Sequence, residues 1–253
     1  MIAIVTGASS GMGKEFVLQL DKNENLSEIW VLARRKDRLL SLADEVKTPI
    51  RAISCDLTDK QSLVDFEELL KKEQPQIKFL VNCSGYGKFG HTDVVSLEDS
   101  LGMISLNCSA LVSITQISLP FMAEDSHIVE LCSLSSFQPV PYLNVYAATK
   151  AFVLSYSRGL AAELKKRKIY VTAVCPGWVR TEFFDRAKTK QDDAITYFNK
   201  IYEAKDVIRK AYRDAKRKKQ VSIYGFIIRA QVLFVKLMPH SFIMKLWLFQ
   251  QKH

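Results

Sequence analysis

The sequence predicts an α/β protein with a doubly wound, mostly parallel seven-stranded sheet that carries helices on both faces. Over the first 175 residues, short apolar segments alternate with longer amphipathic ones, the β-α-β-α pattern of such a sheet. The short segments are continuously apolar, as expected of strands that are covered on both faces. A chain of 253 residues, 48% of them hydrophobic, is large enough for one domain with a full core.

Each predicted strand is a short apolar run, and most are followed by glycine, proline or a polar residue. The strands are predicted at residues 2–6, 28–33, 50–54, 77–81, 127–132, 169–175 and 221–224. The helices are predicted at residues 14–20, 36–46, 59–72, 97–121 and 146–168, with two more within 183–219 and two short apolar ones within 226–249.

The net charge of +9 is concentrated at the C-terminal end of the chain. Residues 205–253 hold 12 Lys and Arg but only 2 Asp and Glu, whereas residues 1–204 hold 24 basic and 25 acidic residues. The basic character therefore belongs to the tail and not to the body. This distribution argues against a general nucleic-acid-binding surface.

The cysteines and histidines are scattered singly along the chain and form no ligand-like spacing. We therefore expect buried, reduced thiols and no metal site. The cysteines lie at Cys55, Cys83, Cys108, Cys132 and Cys175, and the histidines at His91, His127, His240 and His253.

The first residues lead directly into a predicted strand and a glycine turn, without a basic segment in front of them. We therefore expect no signal peptide. No apolar run reaches the ~18 residues that a spanning helix needs. These features predict a cytoplasmic protein.

A glycine-rich turn, Thr6–Gly13, connects the first predicted strand to the first helix. Glycines at 7, 11 and 13 permit a tight turn and allow a pyrophosphate to approach the backbone. The following helix N-terminus offers N–H groups and the positive end of its dipole. The turn predicts a dinucleotide site; the alternative is a glycine-rich turn without a ligand.

Two further strand ends carry charged residues that suit a dinucleotide. Arg34 and Arg35 follow the second strand, where they favour a 2′-phosphate and hence NADP(H) over NAD(H); the alternative is solvated loop arginines. Asp56 follows the third strand, where its carboxylate can accept from an adenine amino group. It can equally cap the next helix, which starts near Asp59.

Tyr146 and Lys150 are four residues apart, so on a helix their side chains lie on one face. A fixed ammonium lowers the pKa of a neighbouring phenol from its ordinary value near ~10, which suits proton transfer to a substrate oxygen. Ser133 ends the predicted fifth strand, where its side chain can face the same cleft. A chance pair in an ordinary helix is the alternative.

Asn107 lies midway along the predicted helix at 97–121, among mostly apolar residues. A buried amide there destabilises the helix unless it finds partners. The residue is either a satisfied core amide or part of a site.

In this order the motifs resemble the short-chain dehydrogenase/reductase family over roughly residues 1–225. The glycine turn matches the family's T-G-x-x-x-G-x-G, and Pro176–Thr181 matches its P-G-x-x-x-T loop. Asn82-Cys83-Ser84-Gly85 matches N-N-A-G with departures at the two middle positions. The resemblance implies a Rossmann-type domain at 1–225, with substrate-side helices at 183–219, and a basic apolar extension at 226–253.

The resemblance also implies the catalytic roles. Tyr146 would be the general acid and base, and Lys150 would bind the nicotinamide ribose. Ser133 would hold the substrate oxygen, and Asn107 would anchor a water behind Lys150. The implied cofactor-binding residues are Gly7, Ser9, Ser10, Gly11, Met12, Gly13, Arg34, Arg35, Asp56, Leu57, Asn82, Ser84, Gly85, Tyr146, Lys150, Pro176, Gly177, Val179 and Thr181.

The segment 226–249 contains two apolar stretches with a few cations. It is a lid over an apolar substrate pocket, a contact with another subunit, or a helix at a membrane surface. The family resemblance implies a homodimer or homotetramer.

These features predict an NADP(H)-dependent oxidoreductase that interconverts a secondary alcohol and a ketone on an apolar small molecule. A hydroxysteroid or bile acid is the first candidate, and a 3-oxoacyl compound or other carbonyl substrate is the second. A non-catalytic NADPH-binding sensor is the alternative from another class. The aromatic residues expected near an apolar ligand, or else packed internally, are Phe89, Phe137, Tyr142, Trp178, Phe183 and Phe184.

Overall fold

The computed structural model describes residues 1–188, 194–198 and 200–251. Its strands are β1 (Ile2–Thr6), β2 (Glu28–Ala33), β3 (Ile50–Ser54), β4 (Ile77–Asn82), β5 (Met122–Leu131), β6 (Tyr170–Val174), β7 (Trp178–Arg180), β8 (Ile201–Glu203) and β9 (Val221–Ser222). Its helices are α1 (Gly11–Asn23), α2 (Lys36–Leu40), α3 (Lys60–Glu73), α4 (Leu97–Ile104), α5 (Leu111–Ser118), α6 (Asn144–Glu163), α7 (Phe183–Ala187), α8 (Ala204–Lys216), α9 (Phe226–Leu237) and α10 (His240–Gln251).

Seven of the strands form one sheet in the order β3-β2-β1-β4-β5-β6-β9, and every neighbouring pair is parallel. The order reverses direction between β1 and β4, which opens a crevice at the carboxyl ends of these strands. The predicted fold class, a doubly wound seven-stranded sheet with helices on both faces, is therefore confirmed.

Alternating residues of the central strand pack on opposite faces of the sheet. Ala3 and Val5 of β1 belong to the core beneath α1 and α8, whereas Ile2 and Ile4 belong to the core beneath α3, α5 and α6. All four are buried. A fully buried valine or isoleucine side chain contributes about 1.5–3 kcal/mol, so both helix layers are held by the hydrophobic effect.

The structure contains a small two-stranded parallel pair, β7 and β8, that the sequence did not predict. Three-residue strands are too short for a periodicity signal, and the partner lies more than twenty residues away along the chain. Two predicted helices within 183–219 are present as α7 and α8, while residues 189–193 and 199 of that segment lie outside the described residues. The predicted helix at 36–46 ends as α2 at Leu40 and continues as a 3₁₀ turn over Ser41–Glu45.

The helical stretch Leu97–Phe121 contains α4 and α5, which are connected by a π-helical turn at Ser105–Ala110. It has 25 residues and contains an 18-residue window with a mean hydropathy of 1.3, so it qualifies by length and composition as a candidate membrane span among the described residues. The expectation that no apolar run is long enough is corrected accordingly. A single such helix is weak evidence, because core helices pass the same test; this one packs against α3 and α6.

The two C-terminal helices cover the carboxyl edge of the sheet. Ile228 of α9 packs against Gly177, and the Trp247 indole nitrogen of α10 donates to the Pro141 carbonyl at 3.0 Å. The Gln251 amide oxygen accepts from the backbone nitrogen atoms of Thr196 and Tyr197 at 3.1 and 3.2 Å. These contacts anchor both helices to the loops at this edge.

Candidate active site

The residues singled out at strand ends converge at one edge of the sheet. Ser133 follows β5, Pro176 and Gly177 follow β6, and the glycine turn follows β1. Since carboxyl ends of parallel strands meet at the same edge, these segments border one crevice. Helix α6 runs across it and contributes Tyr146 and Lys150.

Lys150 anchors α6 to the end of β5. Its ammonium donates to the Leu131 carbonyl at 2.7 Å and is almost fully buried. The Lys150 nitrogen lies 5.7 Å from the centre of the Tyr146 ring. The Ser133 side chain lies near enough to the Tyr146 phenol to act on its pKa. Ser133, Tyr146 and Lys150 therefore form one polar cluster at the base of the crevice.

The expected effect of Lys150 on the Tyr146 phenol does not dominate here. Burial raises the pKa of Tyr146 well above its ordinary value, and the Ser133 side chain offsets only part of this shift. Burial likewise lowers the pKa of Lys150. The expectation of a lowered tyrosine pKa is wrong for this arrangement, because removal from water outweighs an ammonium whose nearest bond is to a backbone carbonyl.

Ser133 is distinguished from the nearby serines by its contacts. The Ser136 hydroxyl is buried and donates to the Ser133 carbonyl at 2.6 Å. Ser135 also borders the crevice, and its backbone nitrogen donates to the Ser133 hydroxyl oxygen at 3.2 Å. Ser133 is the serine whose side chain acts on the pKa of the Tyr146 phenol.

Asn107 lies in the π-helical turn and is fully buried. Its amide nitrogen donates to the Tyr86 carbonyl at 2.9 Å and to the Thr149 hydroxyl at 3.0 Å. Its amide oxygen accepts from the Tyr86 backbone nitrogen at 3.0 Å. π-Helical turns are frequent at functional sites. The turn holds this amide against α6, where its partner Thr149 directly precedes Lys150 in the chain.

Glycine is required where the Asn107 amide and Lys150 approach the loop after β4. A Cβ on Gly85 would lie 2.9 Å from the Asn107 amide oxygen and 3.4 Å from the Lys150 nitrogen. Ser84, the preceding residue, donates its backbone nitrogen to the Thr6 hydroxyl at 3.2 Å. The loop therefore closes tightly over the end of β1.

The glycine turn forms a cradle that fits a pyrophosphate. Gly7 and Gly11 adopt positive φ angles of 66° and 54°. A Cβ on Gly13 would lie 2.3 Å from the Gly7 carbonyl oxygen, so the turn and α1 touch through bare backbone. No side chain caps the first turn of α1, and Met12 of that turn borders the crevice.

Arg35 lies beside this cradle, whereas Arg34 turns away from it. The Arg35 guanidinium donates to the hydroxyls of Ser9 and Ser10, each at 3.0 Å, and to Glu182 at 3.0 Å. Arg34 is 3.9 Å from Asp56, and its side chain is 60% exposed. Of the two predicted arginines, the structure brings only Arg35 to the turn.

Arg38 is a second cation at this place that the sequence reasoning missed. It pairs with Glu182, which also accepts from Arg35. These two arginines lower the pKa of Glu182. The spacing of three residues from Arg35 was an available signal, because α2 begins immediately after Arg35. Glu182 gave no signal, since it is 147 residues from Arg35 in the chain.

Three predicted cofactor residues have side chains that are engaged elsewhere. Asp56 accepts from the Thr58 nitrogen at 3.0 Å and the Thr58 hydroxyl at 2.7 Å, and these bonds lower its pKa. Asp59 is the residue that caps α3. Leu57 is buried in the core on one face of the sheet, and the Asn82 amide is buried between β4 and α5.

The loop after β6 forms the opposite wall of the crevice. Pro176 accepts from the Leu134 backbone nitrogen at 2.7 Å, and Val179 is buried. A Cβ on Gly11 would lie 3.2 Å from the Thr181 methyl carbon. Thr181 therefore packs close to the glycine turn, so that the two segments adjoin at one side of the crevice.

Above the polar cluster lies an apolar cavity of about 270 Å³. Trp178, Phe183 and Phe184 line it, while Phe89 packs behind them, Phe137 lies beneath Lys236, and Tyr142 packs on His91. The C-terminal helices complete the wall with Gln231, Phe234, Val235, Ile243, Leu246, Trp247 and Gln250. Among the described lining residues, Lys150 is the one with a charged side chain.

Glu130 is a buried acid that the sequence reasoning passed over within the apolar strand β5. Its carboxyl accepts from the Asn82 amide at 3.2 Å and from the Thr115 hydroxyl at 3.1 Å. Burial raises its pKa to about 8. A single acid in an apolar run gives no sign of its partners, which come from β4 and α5. The carboxyl links three elements directly beneath the site.

A family model described as short chain dehydrogenase matches residues 1–192. The chain belongs to the short-chain dehydrogenase family. An uncharacterized oxidoreductase of Staphylococcus epidermidis is 30% identical over 207 residues, covering 78% of this chain and 89% of that protein.

Two solved structures resemble the chain over nearly its whole length. A short-chain dehydrogenase from Sphingobium yanoikuyae in complex with NADPH is 28% identical, with a TM-score of 0.78 and coverage of 96% and 95% of the two chains. The bulky-bulky ketone specific alcohol dehydrogenase from Comamonas testosteroni is 26% identical, with a TM-score of 0.73 and coverage of 96% and 93%.

Structures with this fold hold NADPH or NAD. As a member of the short-chain dehydrogenase family, the protein is an NAD(P)-dependent oxidoreductase acting on CH–OH groups. Within the described residues, no group of three or more His, Cys, Asp or Glu side chains is arranged to hold a metal.

Replacing Gly13 by alanine tests the backbone cradle. The new Cβ would meet the Gly7 carbonyl at 2.3 Å, so the turn must open. We expect the affinity for NADPH and for NADH to fall about tenfold or more, since backbone strain of this kind costs about 1–3 kcal/mol. Fluorescence titration of each cofactor measures the change.

Gly159→Ala is the matched control for this substitution. Nothing lies within 4 Å of a Cβ at Gly159, which is in the interior of α6. We expect unchanged cofactor affinity and an equal or higher melting temperature, because alanine favours a helix over glycine. Equal affinities in the wild-type protein and Gly13→Ala would contradict the cradle.

Replacing Glu130 by glutamine tests the buried acid. Its folded-state pKa of about 8 lies above the ordinary 4.5, so its contribution to stability is fully present below 4.5 and is lost as pH rises through 8. Glutamine stays neutral and keeps the hydrogen-bonding shape. We expect the melting temperature of the variant, relative to wild type, to rise progressively from about pH 5 to about pH 9.

The exposed Glu68 of α3, replaced by glutamine, is the control for this measurement. The melting temperature of the Glu68→Gln variant should equal that of the wild-type protein at each pH. If Glu130→Gln also follows the wild-type curve, the acid is not held neutral in the folded protein.

Proposed function

We propose that the protein is an NADP(H)-dependent oxidoreductase that interconverts a secondary alcohol and a ketone on an apolar, uncharged small molecule. The observation that carries this proposal is the position of the Ser133–Tyr146–Lys150 cluster at the base of an apolar, aromatic-lined cavity. A substrate oxygen fits the polar base, and the rest of the molecule fits the apolar wall.

The roles of the polar side chains follow from their contacts. The Tyr146 phenol donates the proton to the carbonyl oxygen in reduction and accepts it in oxidation. Ser133 holds the same oxygen through its hydroxyl. Lys150, whose nitrogen lies 5.7 Å from the Tyr146 ring centre, would stabilise developing phenolate and bind the nicotinamide ribose. When bound, the nicotinamide supplies or accepts the hydride.

Asn107 acts one layer behind this cluster. Its amide is bonded to Tyr86 and Thr149, and a Cβ on Gly85 would nearly touch both Asn107 and Lys150. The amide therefore sets the position of the α6 turn that carries Lys150. We propose that a water bound at this amide carries protons between Lys150 and solvent.

The cofactor residues are proposed on the same geometry. The turn from Gly7 to Gly13, with the hydroxyls of Ser9 and Ser10 and the backbone of Met12, holds the pyrophosphate. Arg35 binds a 2′-phosphate, assisted by Arg38. The loop after β3, with Asp56 and Leu57, would hold the adenine, and the loop after β4, with Asn82, Ser84 and Gly85, would approach the rest of the cofactor. Pro176, Gly177, Val179 and Thr181 orient the nicotinamide carboxamide.

The charge of the cavity wall narrows the substrate class. Apart from Lys150, its polar lining side chains are uncharged amides and hydroxyls, so a substrate carboxylate would be desolvated without a partner. This favours a neutral hydroxysteroid over a bile acid or an acidic metabolite. The named ketone specificity of the Comamonas testosteroni relative supports a ketone substrate. We propose a cytoplasmic homodimer or homotetramer.

Replacing Tyr146 by phenylalanine tests the proton donor. We expect the rate of NADPH oxidation with neutral ketones, among them 3-oxosteroids, to fall about 10²–10⁴-fold, because general acid catalysis contributes that much. NADPH affinity should change little. Tyr142→Phe is the control, since its ring packs on His91 outside the cavity. No turnover in a broad ketone panel, with identical behaviour of both variants, would favour the non-catalytic sensor.

Replacing Arg35 by alanine tests the cofactor preference. A charge-assisted hydrogen bond is worth about 1.5–3 kcal/mol, so KM for NADPH should rise about tenfold or more while KM for NADH stays nearly constant. Arg34→Ala should have the smaller effect, because Arg34 faces Asp56. Equal changes in KM for the two cofactors would refute the 2′-phosphate assignment.

A further inference from the structure

Helix α9 is apolar on two opposite faces. Its buried residues are Ile228, Val232 and Val235, which pack on the body of the protein. On the opposite side, at spacings of seven and four residues, lie Phe226, Leu233 and Leu237, whose exposures are 80%, 61% and 71%. A surface helix ordinarily turns a polar face outward, so this pattern predicts a second apolar environment outside the protein.

Helix α10 continues the same outward surface. Ile243 is buried and the Trp247 indole is hydrogen-bonded to the Pro141 carbonyl, so the side of α10 that carries these two residues faces the protein. Phe242 and Phe249 point away, with exposures of 49% and 72%. Together the two helices carry eight of the eighteen large apolar side chains that are exposed in the described part of the chain. Such a concentration marks an interaction surface.

The charges on this surface are all positive. Arg229 and Lys236 are seven residues apart, so both lie along one edge of the outward face of α9, and Lys245 lies on the outward side of α10. The Lys236 nitrogen is 5.3 Å from the Phe137 ring centre, at the border with the body. Residues 226–251 contain no Asp or Glu.

This charge pattern discriminates between partners. A two-fold contact with a second copy would bring the same surface against itself and oppose cation to cation without any carboxylate in the helices. An anionic lipid surface supplies the opposite charge at the headgroups and an apolar layer just below them. Exposed aromatic rings beside cations are the composition of an interfacial helix.

We propose that the outward face of α9 and α10 docks on the surface of an anionic lipid bilayer. The apolar side chains enter the headgroup boundary, and Arg229, Lys236 and Lys245 bind lipid phosphates. Neither helix spans the bilayer, because each has twelve residues.

The same two helices form the wall of the cavity, which links docking to substrate entry. Phe234 and Leu246 line the cavity and are also 40% and 39% exposed, so they lie where the cavity wall meets the outer surface. An apolar substrate dissolved in the bilayer would reach the cavity between them without crossing water. This entry route rests on the proposed function, whereas docking on lipid does not.

The test is co-sedimentation of the full chain with vesicles, which needs no turnover. We expect binding to vesicles of equal parts phosphatidylcholine and phosphatidylglycerol to exceed binding to pure phosphatidylcholine by at least about tenfold, because three cations act at the surface. The double variant Leu233→Glu/Leu237→Glu should lose about tenfold or more of this binding. Neither leucine lines the cavity, so its NADPH affinity should stay unchanged.

Two further variants and a mass measurement decide the outcome. Leu40→Glu/Val64→Glu, at exposed apolar positions of α2 and α3, should bind vesicles like wild type. The Arg229→Gln/Lys236→Gln variant should bind phosphatidylglycerol-containing vesicles no better than pure phosphatidylcholine vesicles, while its binding to pure phosphatidylcholine stays as in the wild-type protein. Wild-type protein that stays in the supernatant with anionic vesicles overturns the proposal. A Leu233→Glu/Leu237→Glu variant that binds vesicles normally also overturns it. If the wild-type protein does not bind vesicles and this variant forms smaller oligomers than the wild-type protein, the partner is a second copy.

Discussion

The hydrogen bond from the Lys150 ammonium to the Leu131 carbonyl joins the helix and the strand that carry the reactive groups. A buried ammonium needs partners, so this bond strongly favours one rotation of α6 about its axis. Tyr146, one turn earlier, then faces Ser133, which is two residues beyond Leu131. The polar cluster is thus a consequence of how α6 is attached to β5.

The polar groups beneath this attachment form a layer made of two separate hydrogen-bonded groups. Asn82 and Glu130 of adjacent strands meet Thr115 of α5, and Asn107 meets Thr149 of α6. In a low-dielectric interior such bonds are strong, and each unpaired group would be costly. The layer therefore makes the base of the crevice rigid and polar, while the wall above it stays apolar. This contrast orients a substrate oxygen towards Ser133 and Tyr146.

Local patterns allowed much of this site to be predicted. The glycine turn, the four-residue spacing of Tyr146 and Lys150, and the strand end before Ser133 depend on neighbours in the chain. Glu182 and Glu130 were missed because their partners are far away in the sequence and no local pattern reports them. The direction of the Tyr146 pKa shift was wrong for a related reason. It depends on burial, which only the packed structure defines.

The sequence by itself determined the seven strands of the main sheet and the helices that alternate with them, the close approach of backbone at Gly13 and the residue types that meet at the sheet edge. These follow from hydrophobic periodicity and from the missing side chain of glycine, which act over a few residues. Only the tertiary structure decided that Arg35, rather than Arg34, faces the turn, and that α9 and α10 wall the cavity while exposing a second apolar face. Both outcomes depend on which surfaces remain after the sheet has packed, because long-range contacts and not local spacing decide where a side chain finally points.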